Sequence, residues 1–100
     1  MPQKLSYTTL GRGGYVFYKD DVSEIKLGFE FGGGNCVAII FIPSPQQWAA
    51  ATGRTLQERG NIIQFIAAQA LKDQVAGGHY KILDNFIELY SGRQAAGNCQ

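Results

Sequence analysis

Residues 24–42 read Glu-Ile-Lys-Leu-Gly-Phe-Glu-Phe (24–31), Gly-Gly-Gly-Asn (32–35) and Cys-Val-Ala-Ile-Ile-Phe-Ile (36–42). In the first run Ile25, Leu27, Phe29 and Phe31 alternate with Glu24, Lys26, Gly28 and Glu30. Period two is the mark of a strand with one wet face. The second run is apolar at every position, so both of its faces want cover. The glycines between them permit a tight turn. The stretch therefore predicts a β-hairpin at the middle of an antiparallel sheet. A two- or four-residue loop sets Phe31 opposite Cys36 and Phe29 opposite Ala38, leaving Val37, Ile39 and Phe41 beside Glu30, Gly28 and Lys26. A three-residue loop moves Val37, Ile39 and Phe41 to the phenylalanine side, because a shift of one residue flips every side chain. In either register the second face keeps an apolar stripe.

Upstream, residues 3–10 carry β-branched and aromatic residues, with Leu5 and Tyr7 on one side, and predict a first strand. Gly11-Arg12-Gly13-Gly14 reads as a loop, Tyr15–Tyr18 as an aromatic strand and Lys19-Asp20-Asp21 as a turn. Downstream, Pro43-Ser44-Pro45 ends the sheet. Ser44 suits a helix cap and Pro45 its first position. A short helix over 46–51 carries Trp48 and stops at Gly53. Thr55-Leu56-Gln57-Glu58 has the form of a capping box, and a long helix follows from about Leu56 to Gln74. At 100° per residue Leu56, Ile63, Ile66, Ala67, Ala70 and Leu71 share its buried half, with Ile62 at the edge. Phe65 falls on the polar half, and Gly60 near the buried arc suggests close approach to the sheet. Within 79–90, Asp84-Asn85 between two β-like runs suggests a two-residue hairpin turn, with one long bent strand as the alternative.

The fold class is thus α+β: an antiparallel sheet of about five strands with one long helix on one face, in the order β-β-β-β-α-α-β. One hundred residues suit a single domain, read as 1–92, with 93–100 a patternless, disordered tail. The formal net charge is +1, with Lys and Arg scattered, so no basic block points to generic nucleic-acid binding. No apolar run reaches the ~18 residues of a membrane helix, and the N-terminus lacks a signal-peptide pattern. A soluble cytoplasmic protein is the expectation. Cys36 then reads as a small buried hydrophobe, unlinked to Cys99, since nothing suggests an oxidising compartment.

Sites are harder to read. His79, the only histidine, needs a partner such as Asp84 or Glu88 and a cleft to act as a base; a turn histidine is the plainer account. Cys36 in an apolar strand is a poor nucleophile. One histidine and two distant cysteines give no zinc spacing, and no metal or cofactor is expected. Gly11–Gly14 lacks the ending of a phosphate loop and leads into a strand, not a helix. Arg54 and Arg59, at the start of the long helix, suit a carboxylate or phosphate, although salt bridges to Glu58, Glu88 or Asp73, or stacking on Trp48, explain them as well. Tyr7, Tyr15, Phe17 and Tyr18 invite comparison with sheets that stack single-stranded bases, but neighbouring Lys and Arg are offset by acids. The sequence points first to a non-enzymatic interaction module, a homodimer or small partner protein using the second apolar face and Phe65. A single-stranded nucleic-acid binder ranks second, and a small enzyme using His79, Arg54 or Arg59 last.

Overall fold

The computed structural model describes residues 3–33 and 36–91. The hairpin of 24–42 forms as β3 (Glu24–Phe31) and β4 (Cys36–Phe41). Phe31 pairs with Ala38, Glu30 with Ile39 and Phe29 with Ile40. The partners lie two residues beyond the expected Phe31–Cys36 pairing, yet the parity is that of the even loop. Phe29, Ala38 and Ile40 therefore face the core together, and Ile39 and Phe41 lie on the other face beside Glu30, Gly28 and Lys26. Val37, expected with them, packs against the core instead, because a β-bulge between Cys36 and Ala38 shifts the strand there.

Four further strands complete one antiparallel sheet: β1 (Lys4–Leu10), β2 (Gly13–Lys19), β5 (His79–Ile82) and β6 (Phe86–Tyr90). The spatial order is β1-β2-β3-β4-β6-β5. The sheet has six strands where about five were expected, because Asp84-Asn85 does turn the chain. Leu83 N–H donates to Phe86 O at 2.8 Å across that turn. Gly13 and Gly14, read as loop, belong to β2. Side chains there would drive into the Phe29 and Thr8 carbonyls of the two neighbouring strands, and Gly14 has φ 155°. Glycine lets three backbones approach where no Cβ fits.

Helices α1 (Pro45–Thr52) and α2 (Leu56–Gln74) both lie on the core face. Ile62, Ile63, Ile66, Ala67 and Ala70 of α2 pack with Val16, Tyr18, Leu27, Ile40, Ile87 and Leu89 of the sheet, and Trp48 of α1 is wholly buried among them. Trp48 thus covers the core face of the sheet and leaves the second face without a helix. Three details of α2 differ from the helical wheel. Leu56 is 58% exposed, because it opens the helix beyond the packed stretch. Phe65 leans off the polar half and meets the Tyr18 ring edge-on at 5.8 Å. Gly60 is exposed, and a Cβ there meets nothing. Gly60→Ala should therefore raise stability by about 0.5–1 kcal/mol, read as a higher urea midpoint with unchanged slope.

The start of α2 follows the sequence closely. Glu58 N–H donates to Thr55 Oγ1 at 3.1 Å, and Thr55 N–H donates to Glu58 Oε1 at 3.0 Å. The box satisfies two helix-end donors reciprocally, and the Thr55 backbone bond holds the Glu58 carboxyl below its usual range. Thr55→Ala should cost about 0.5–2 kcal/mol; an unchanged denaturation midpoint would contradict the role. Cys36 is disulfide-bonded and not the free thiol expected; its partner lies outside the described residues, as does the tail assigned to 93–100.

Candidate interaction face

Arg54, Trp48 and Arg59 come together where α1 meets α2, but each is committed to the fold. The Arg54 side chain is 4% exposed, and its guanidinium meets Asp20 at 2.7 Å and Glu58 at 3.4 Å. It also donates to Ser23 Oγ, from Nη2 at 2.9 Å and from Nε at 3.2 Å. This fork ties the β2–β3 turn to the head of α2. The Arg54 bonds hold the Asp20 carboxyl well below the usual carboxylate range. Trp48 Nε1–H donates to Thr55 O at 2.8 Å. Arg59 lies over the indole at 5.9 Å and donates to the Pro43 and Asp84 carbonyls at 3.0 and 2.7 Å. An incoming anion would have to displace these partners.

His79 stands apart from that cluster. It stacks on Tyr90 at 5.0 Å, at the open end of the β5–β6 hairpin, while Arg59 binds the turn end. Glu88 is buried and accepts from the Tyr90 hydroxyl at 2.8 Å. Among the described residues, no three of His, Cys, Asp and Glu gather as metal ligands. A cleft of about 60 Å³ opens between Tyr7, Phe29, Phe31, Ala70 and Gln74. It is well below the roughly 300 Å³ at which small-molecule sites begin. Among the described residues, no helix is long and apolar enough to cross a membrane.

The tyrosine-rich strands divide between the two faces. Tyr18 is buried on the core side and donates to Asp20 at 2.9 Å. Tyr7, on the same side, donates to Asp73 at 2.7 Å. Burial, with the Asp73 carboxylate in the case of Tyr7, pushes both phenols up. Tyr15 and Phe17 point the other way.

That other face carries the chemistry the fold leaves uncommitted. The strand registers place Thr8, Tyr15 and Gly28 in one row, and Phe41 and Phe86 continue it. Tyr15 is 37% and Phe41 41% exposed. Between them Gly28 leaves a shallow trough of about 320 Å³, bordered by Leu10, Tyr15, Glu30 and Phe41. Lys26 holds its ammonium 4.1 Å above the Tyr15 ring. The open area lies over β1–β4, since Glu88 and Tyr90 of β6 are buried. Exposed apolar surface rimmed by polar residues marks interaction surfaces and ligand grooves, and a shallow trough lacks the enclosure of a small-molecule pocket. The Gly28 trough was missed from sequence because it depends on which residues flank a glycine across strands.

No family model, curated protein or solved structure matches this chain.

Proposed function

We propose that this protein is a non-enzymatic interaction module that docks through the open face of β1–β4, with a second copy of itself as partner. The observation that carries the reading is the exposed row Tyr15–Gly28–Phe41, on the face opposite both helices. Its area supports a weak, reversible contact. Four strands at about 4.8 Å spacing and about 20 Å length give roughly 400 Å² per copy, about 800 Å² in total, below the roughly 1,200 Å² of stable specific interfaces and in the range of transient ones. Amide chemical shifts followed from about 10 μM to 1 mM are the test. Residues 13–19, 26–30 and 39–41 should move with concentration while α2 stays still; shifts confined to α2, or none, would overturn the reading.

Single-stranded nucleic acid is the second reading, favoured by the Lys26–Tyr15 contact. It predicts oligonucleotide binding that weakens steeply with salt, whereas apolar docking does not. A cytoplasmic setting belongs to the proposal too, but the Cys36 disulfide pulls against it, because cytosolic thiols are kept reduced. Thiol titration of protein purified without reductant separates the two: reactive thiols fit the cytoplasm, and their absence fits an oxidising compartment.

A further inference from the structure

The outward residues at the middle of β3 are Lys26, Gly28 and Glu30: opposite charges equally spaced about a glycine. Neither Lys26 nor Glu30 joins an ion pair among the described residues, and both are exposed. A Cβ at Gly28 would touch only the Phe41 ring, at 3.9 Å, so glycine is not required there by the packing of the chain itself. What glycine provides is a low point between Tyr15 and Phe41.

We infer that the second copy docks about a two-fold axis that lies between the two sheets and runs across the strands at Gly28. The inference rests on the docking reading above and fixes its geometry. An axis in that direction reverses the strands while laying each strand over its own counterpart. Lys26 of one copy then faces Glu30 of the other, twice. The two Gly28 positions meet on the axis, and Tyr15 and Phe41, which lie along it on either side of Gly28, pack against their own counterparts. The alternative two-fold, running along the strands, sets Lys26 on Lys26 and Glu30 on Glu30, which like-charge repulsion disfavours. Face-to-face sheets pack about 10 Å apart with their strands turned by about 30°, a spacing that long Lys and Glu side chains bridge. A closed, isologous pair is the expected symmetry.

Charge reversal tests the arrangement. Lys26→Glu and Glu30→Lys should each weaken self-association by about tenfold or more, measured by sedimentation equilibrium. Mixed in equal amounts, the two variants should form a one-to-one heterodimer. One variant carries two acids at these positions and the other two lysines, so both contacts across the axis again join opposite charges. The double exchange Lys26→Glu with Glu30→Lys should associate like the unaltered protein. Rescue on mixing cannot come from a misfolded variant, so the readout is separate from stability. Dimers that survive both single reversals but are lost in Phe41→Lys would overturn this axis and leave face docking standing. An unaltered protein that stays monomeric up to about 1 mM, where even a contact with a Kd of hundreds of micromolar fills, would overturn both.

Discussion

Asp20→Asn is expected to lose about 3–5 kcal/mol at pH 7, the usual cost of removing one partner from a buried ion pair. The carboxylate accepts two bonds from Arg54, at 2.7 and 3.1 Å, and one from the Tyr18 hydroxyl at 2.9 Å. It also accepts from the Val22 backbone N–H at 2.9 Å. Asparagine keeps the shape but removes the charge that balances a guanidinium which is almost out of water. Glu58 stays as a counter-ion, but at 3.4 Å and from a more exposed position. The same site sets an acid limit. Because the folded state holds Asp20 below its ordinary value of 3.8, the unfolded chain binds a proton first as the pH falls. Asp20 therefore stabilises the fold above about pH 4 and progressively less below it. The gap between the unaltered protein and Asp20→Asn, read from urea midpoints, should be full at pH 7 and narrow below about pH 4. A gap independent of pH would show that the charge is not what matters.

Trp48→Ala is expected to cost a similar amount, about 3–5 kcal/mol. Trp48 is 0% exposed and is the side chain through which short α1 reaches the core. Its removal empties a large volume and leaves the Thr55 carbonyl without its donor, and it takes away the ring beneath Arg59. Trp48→Phe should recover much of the packing but not the bond. A loss in Trp48→Ala of less than about 1 kcal/mol would mean that α1 is marginal to the fold.

Most of the architecture is written locally. Period-two alternation marks β3, the capping box marks the head of α2, and Asp84-Asn85 marks the turn that adds the sixth strand. What the sequence hides depends on distant partners. Glu58 was among the acids considered for Arg54, but Asp20, 34 residues away, only becomes its main partner when the β2–β3 turn folds under the head of α2. Phe65 looked solvent-facing on a wheel, yet its ring reaches sideways to Tyr18, so it is a weak candidate for a separate interface. Gly13 and Gly14 read as loop because nothing local distinguishes a flexible glycine from one that lets backbones close in. Gly60 posed the same ambiguity and fell on the open side. For the candidate site, the stripe on the second face was legible from the 36–42 run alone. The trough at Gly28 was not, since it exists only between Tyr15 of β2 and Phe41 of β4.

Docking of a second copy on the open face of β1–β4 is most directly tested by mass in solution. Static light scattering without a column, from about 10 μM to 1 mM, spans the range in which a weak contact of this size fills. The weight-average mass should climb from the monomer value toward twice that value, and Phe41→Lys should hold it at the monomer. A monomer mass throughout, or a dimer indifferent to Phe41→Lys, would contradict the account.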